Sequence, residues 1–166
     1  MTSDVEVRRA TAESPSDAEL EALLWQVYVE GGFTTPEHAT AKFVGKSLRD
    51  GGELFVAVRV TDKRIVGTVN LVSPDSPLVR LGLSSTNAEL QLLAVAADFR
   101  GQAIGRRLVV KAIEHARQKG FEAITLWTQP TMKSAHRIYS ELGFIRKPEF
   151  DFSRDDRDFL VMQLEL

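Results

Sequence analysis

Residues 89–118 constrain the fold more than any other stretch of the chain. An apolar run (Leu90, Leu92, Leu93, Val95) breaks at Asp98-Phe99-Arg100-Gly101, and a helical repeat follows at once. In that repeat Ile104, Leu108, Val109, Ala112, Ile113 and Ala116 share one face. Charged residues such as Arg106, Lys111 and Glu114 lie mostly opposite, so the helix has one side to bury. A strand that passes through a small-residue turn into a helix leaves the first N–H groups of the helix without intrahelical partners. Those donors, with the positive end of the helix dipole, suit a phosphate or pyrophosphate. Arg100 and Arg106 flank the turn. The pattern predicts a phosphorylated ligand held at residues 101–106.

The remaining segments predict strands and helices in alternation. Residues 5–10 alternate weakly and suit an opening strand. Ser16-x-x-Glu19 reads as a capping box before Leu20, Leu23, Leu24, Val27 and Tyr28 at helical spacing, ending near Gly31-Gly32. Thr35-Pro36 predicts a second helix running toward Leu48. Residues 54–60 and 65–72 read as a β-hairpin, with a short edge strand expected around 79–81 and the next strand over 89–95. Gly120 closes the helix that follows. Then come a strand at 123–127, a helix capped by Thr131 and ending at Gly143, and strands at 144–150 and 159–164. The order β-α-α-β-β-β-α-β-α-β-β predicts a mixed α/β sheet flanked by helices, in one domain over residues 1–166. Trp25 and Trp127 are expected as core anchors, with Trp25 and Tyr28 as alternative lining for a pocket.

Three motifs in this order resemble those of GNAT-type acyl-CoA N-acyltransferases. Arg100-Gly101-Gln102-Ala103-Ile104-Gly105 is similar to the family's Arg/Gln-x-x-Gly-x-Gly/Ala signature, with Ala103 where the first signature glycine usually stands. Ala88-Glu89-Leu90 and Leu93-Ala94-Val95 resemble the family's fourth strand, and residues 134–144 resemble its A-x-x-x-Y-x-x-x-G-F helix. The match is close over residues 88–146 and diffuse elsewhere. It implies a mostly antiparallel sheet and transfer of an acyl group, usually acetyl, from acetyl-CoA to a primary amine in a ternary complex.

The resemblance also implies roles. Residues Arg100, Gly101, Gln102, Ala103, Ile104, Gly105 and Arg106 would hold the CoA diphosphate. Leu93, Ala94 and Val95 would pair with the pantetheine arm, and an N–H there would face the developing oxyanion. Tyr139 would protonate the departing thiolate, with packing against Ala135, Ile138 and Leu142 as the alternative. Glu89 would take the amine proton, the alternative being an exposed polar residue at a strand start. Met132 occupies the place of an asparagine that contacts the arm in many relatives, so Ser134 is the substitute contact. Arg107 and Lys111 read equally well as a solvated helix face.

Composition narrows the rest. With 21 Lys plus Arg against 23 Asp plus Glu, the net charge of -2 provides no general attraction to nucleic acid or membranes. No cysteine is present, which removes thiolate nucleophiles, disulfides and thiolate metal sites. His38, His115 and His136 lack metal-ligand spacing, so no metal is expected. The N-terminal residues lack the apolar core of a signal peptide, and a cytoplasmic location is the expectation. The final strand offers an apolar edge, from which a homodimer is expected. Asp151, Asp155, Asp156 and Asp158 form either an acidic rim for a cationic acceptor or a solvated loop. Small amines, amino acids and peptide or protein amines all remain open as acceptors. The alternative function is a non-catalytic acyl-CoA-binding sensor or interaction module of the same fold.

Overall fold

The computed structural model describes residues 4–166. Its elements are β1 (Val5–Arg9), α1 (Asp17–Leu24), α2 (Pro36–Lys42), α3 (Gly45–Gly51), β2 (Glu53–Arg59), β3 (Ile65–Val72) and β4 (Asn87–Val95). There follow α4 (Ile104–Gln118), β5 (Ala123–Thr128), α5 (Lys133–Glu141), β6 (Ile145–Arg146), β7 (Phe152–Arg154) and β8 (Arg157–Glu165). The sheet order is β1-β2-β3-β4-β5-β8-β6, with β7 paired to β8 beyond it. All neighbours run antiparallel except β4 and β5, which are parallel. This is the mixed α/β sheet that the element order predicts, mostly antiparallel as the family resemblance implies.

The central strands are buried on both faces, which is why they read as continuous apolar runs; every residue of β3 is buried. On one face α4 lays Leu108, Val109, Ala112 and Ala116 against the sheet, all four inaccessible to solvent. Gly67 of β3 makes that approach possible. A Cβ there would stand 3.0 Å from Leu108 Cδ1, 3.2 Å from the Ala94 carbonyl and 3.3 Å from Ala57 Cβ. On the other face α1 buries Leu20, Leu23 and Leu24, started by the capping box at Ser16 and Glu19. Past Leu24 the helix widens into a π-helical turn, Trp25–Glu30.

Several expectations are corrected. The helix predicted over 36–48 is two helices, because the chain turns at buried Phe43 (φ -94, ψ 57). The break brings Gly45 against the backbone of Asp17, where a Cβ would lie 2.9 Å from its Cα. Residues 79–81 form a loop rather than an edge strand. The cap of α5 is Met132, not Thr131, and no side chain bonds there. The strand predicted over 144–150 shrinks to Ile145–Arg146, since Pro148 has no N–H and opens a short turn. Trp25 is 39% exposed and is no core anchor. The final strand is not an edge: β8 lies between β5 and β6, which removes the basis on which a homodimer is expected. The stretch 151–158, expected as a loop, is the β7–β8 hairpin, with Asp155 and Asp156 in the left-handed conformation at its tip.

Gly67→Ala is expected to destabilise the fold by about 1–3 kcal/mol, because backbone and core atoms on three sides must move. Thermal denaturation reads this directly, and an unchanged midpoint would contradict the packing described.

Candidate active site

β4 pairs with β3 from Glu89 to Val95 but with one residue too many. Thr68 faces Ala94 and Asn70 faces Gln91, so Leu92 and Leu93 both stand opposite Val69. Leu92 takes φ 56, an uncommon conformation for a branched side chain. Such a bulge bends its strand and increases the local twist. Here the pairing of β4 with β5 stops at Glu89–Thr125, although β4 runs on to Val95 and β5 to Thr128. Beyond that point the two parallel strands part, leaving the β4 edge at residues 92–95 facing a cleft. The Leu93 carbonyl accepts the Tyr28 hydroxyl at 2.8 Å.

At the same end of the sheet β4 delivers the chain into α4. A short turn, Ala97–Phe99, is braced by Arg64, whose guanidinium binds Asp98 through two contacts of 2.8 and 3.1 Å. Arg59 and Arg64 both lie over the Phe99 ring, at 5.3 and 5.5 Å. Gly101 (φ 79) and Ala103 (φ 60) then reverse the chain, and Ala103 caps α4 with no side-chain hydrogen bond. Among the described residues no backbone N–H from Gly101 to Arg106 donates to a protein acceptor; the first that does is that of Arg107, to the Ala103 carbonyl. Gly105 is buried where α5 crosses, and a Cβ would sit 3.0 Å from Ile138 Cδ1. A run of bare donors beside an open strand edge fits a diphosphate joined to an extended amide-bearing arm. The departure at Ala103 is sterically harmless, since its exposed methyl is carried in the conformation a glycine would adopt.

The charges predicted around the turn separate. Arg100 and Gln102 are exposed, whereas Arg106 reaches Glu141 of α5 at 3.2 Å. Arg107 is no solvated cation: its guanidinium donates to the Val5 carbonyl at 3.0 Å and ties α4 to β1. Ser134 is exposed on the first turn of α5, while Met132 takes a contact of 3.6 Å from the Thr128 hydroxyl.

Tyr139 of α5 is buried against Phe144, with ring centroids 5.6 Å apart. Burial raises its phenol well above the ordinary value, so the hydroxyl stays protonated at neutral pH. No protein acceptor holds that proton among the described residues. Tyr28 is also raised, first by burial and then by its neighbour Tyr139. Of the two phenols, that of Tyr28 is committed to the Leu93 carbonyl.

Glu89 is buried within β4, which corrects its alternative reading as an exposed residue at a strand start. Its Oε1 accepts from the Arg80 N–H at 2.9 Å and Gln91 Nε2 at 3.1 Å. Its Oε2 accepts from the N–H groups of Leu81 at 2.8 Å and Gly82 at 3.1 Å. The carboxylate anchors the loop that sequence reasoning takes for a strand. His115 has an enclosed Nε2 without a hydrogen-bond partner, near Glu53 and Phe55. No cluster suited to a metal occurs among the described residues.

Sequence reasoning missed two contributors. Tyr28 was placed near a pocket but not on β4, and Gln129 was not singled out. Gln129, directly after β5, is buried and donates to the Phe33 carbonyl at 2.8 Å. A buried glutamine between an apolar strand and Pro130 is the available signal.

Residues 18–144 match the acetyltransferase (GNAT) family. Human N-acetyltransferase 8B is 32% identical over 120 residues, 72% of this chain and 49% of that protein. The chain spans between 26% and 49% of the length of curated relatives of this kind. An acetyltransferase from Streptococcus agalactiae shares the fold with a TM-score of 0.75 at 19% identity, covering 99% of this chain and all (100%) of that one. The PaiA N-acetyltransferase of Thermoplasma acidophilum, solved with coenzyme A, superposes with a TM-score of 0.70 at 16% identity, covering 100% of both chains.

Ala103→Gly is expected to raise stability by about 1 kcal/mol, because an L-residue in the left-handed region is disfavoured by about 1–2 kcal/mol and glycine recovers part of this despite its freer unfolded chain. A melting midpoint that falls in this variant would contradict the turn geometry.

Proposed function

The chain belongs to the acetyltransferase (GNAT) family, and we propose that it transfers an acetyl group from acetyl-CoA to a primary amine by direct attack in a ternary complex. The observation that carries this reading is the run of bare amides at residues 101–106 beside the open β4 edge. The amides of Gly101, Gln102, Ala103, Ile104, Gly105 and Arg106 take the diphosphate, with Arg100 supplying charge from solvent. Leu93, Ala94 and Val95 receive the pantetheine arm along the cleft, and Ser134 reaches it from α5. Holding amine and thioester in register supplies the orientation term, which reaches about 7–11 kcal/mol in ideal cases.

Proton movements follow from the side chains present. The amine nitrogen bonds to the thioester carbon, the C–S bond breaks, the thiolate takes the Tyr139 proton, and the proton that the nitrogen loses leaves through Glu89 or water while solvent restores Tyr139. Burial keeps Tyr139 protonated and makes it a weaker acid, so it hydrogen-bonds the departing sulfur and passes its proton only in concert with C–S cleavage. Tyr139→Phe is expected to lower kcat about 10²-fold while CoA affinity stays within about twofold. Unchanged turnover would remove the acid assignment. Thiol release across an amine panel, set beside CoA titration, separates this function from an acyl-CoA sensor of the same fold, which binds without turnover.

Glu89 has two readings that one substitution separates. As the base, it exchanges a loop donor for water and relays the amine proton. As an anchor, it holds residues 80–82 through three accepted hydrogen bonds, with a fourth from Gln91. Glu89→Gln is expected to cost about 1–3 kcal/mol of stability if the anchor role dominates, since an amide group replaces an acceptor facing backbone donors. Loss of kcat and of the acidic limb of the pH–rate profile, at unchanged melting temperature, identifies the base.

A single domain over residues 1–166 and a cytoplasmic location complete the proposal. No helix among the described residues is long and apolar enough to cross a membrane. A homodimer is part of the proposal, and β1 and β6, the outer strands of the main sheet order, are edges that a second copy could extend.

A further inference from the structure

The turn after the π-helical segment spans the cleft from the β4 edge to the end of β5. Tyr28 sits on Leu93 through its hydroxyl, and its own carbonyl accepts the N–H groups of Phe33 at 2.8 Å and Thr34 at 2.9 Å. Gln129 holds the Phe33 carbonyl from the β5 side. Arg157, the first residue of β8, completes the arch. Its Nη1 donates to the Gly32 carbonyl at 3.2 Å and to Gln129 Oε1 at 3.4 Å.

Both acceptors are neutral. Arg157 is half-buried, and among the described residues it forms no ion pair. A partly desolvated guanidinium without a counter-charge is unfavourable unless something supplies one. Asp158 and Asp151 are engaged elsewhere. Asp158 accepts from the Ser153 hydroxyl at 2.6 Å, and Asp151 binds Arg146 at 2.5 Å and the Val161 N–H at 2.8 Å. Asp155 and Asp156 occupy the left-handed tip of the hairpin.

His38 on α2 is lowered first by burial and next by Lys42; Asp155 opposes this, and Arg154 and Arg80 add to it. Around His38 the acidic hairpin residue Asp155 is thus accompanied by Lys42 of α2, Arg80 of the 80–82 loop and Arg154 of the hairpin. Arg157 keeps Nε and Nη2 uncommitted, and a guanidinium fork matches a carboxylate in two parallel hydrogen bonds.

We propose that Arg157 binds a carboxylate on the acceptor, so that the substrates are amines that also carry a carboxylate, α-amino acids foremost. The inference rests on the transferase reading and names the substrate class for that site. Arg157 acts on the acceptor's binding and not on the proton transfers.

The test is calorimetric titration of paired ligands onto CoA-saturated protein: phenylalanine with phenethylamine, leucine with isopentylamine, and other amino acids with their decarboxylated amines. At least one amino acid is expected to bind about 10-fold more tightly than its partner, equivalent to about 1.4 kcal/mol. Arg157→Gln is expected to abolish that difference, and Arg157→Lys, which keeps the charge and loses the fork, to leave an intermediate one. CoA affinity serves as the check on folding, and the lysine variant carries the test if the glutamine variant fails it. The inference is overturned if no pair differs, if Arg157→Gln weakens both members equally, or if an amine phosphate such as phosphoethanolamine alone binds. Thiol release with any amine tests the transferase reading separately, because turnover without carboxylate preference overturns only the inference about Arg157.

Discussion

One surplus residue in β4 sets the rest of the site. Where Leu92 and Leu93 share a single partner on β3, the strand bends away from β5 and its edge is freed. A regular strand would have zipped to β5 along its length, burying the backbone groups that an extended ligand arm can use. The bulge persists because both flanks are held. Gly67 admits α4 on one side, and the Tyr28 hydroxyl takes the Leu93 carbonyl on the other. The conformational cost at Leu92 is thus borne by packing that over-determines it.

From that edge the remaining groups follow by short connections. β4 leads directly into the turn braced by Arg64 and Asp98, so the bare amides at the start of α4 are set relative to the open edge. α5 crosses α4 at Gly105 and brings Tyr139 to the cleft. α1 approaches from the opposite face with Tyr28, and the turn after it is tied to β5 and β8 by Gln129 and Arg157. The open β4 edge, Tyr139 and the turn after Tyr28, which we propose as arm site, acid and acceptor mouth, are therefore all referenced to one irregularity in one strand.

Much of this was legible in the sequence because it rests on local chemistry. The capping box at Ser16, the helical face of α4, the glycine turn at Gly101 and the order of elements are each decided within a few residues. What escaped depends on contacts distant in sequence. Residues 79–81 carry strand-like side chains, yet a buried carboxylate from β4 captures their N–H groups and leaves a loop. β8 has the apolar pattern of an edge strand, but β6 returns to cover it. The bulge had a signal that was not used: two adjacent leucines, 92 and 93, interrupt an otherwise alternating run. Arg157 had none, since its significance lies in neutral partners drawn from Gly32 and Gln129.

The central claim is that freed backbone donors, from the β4 bulge to the start of α4, form the coenzyme site. Isotope-resolved amide NMR during titration with CoA tests it most directly. The largest shifts are expected at residues 92–95 and 101–106, with the α4 amides moving as donors that gain an anionic acceptor. Saturable binding that instead leaves those amides unmoved, with shifts elsewhere on the sheet, would contradict the account.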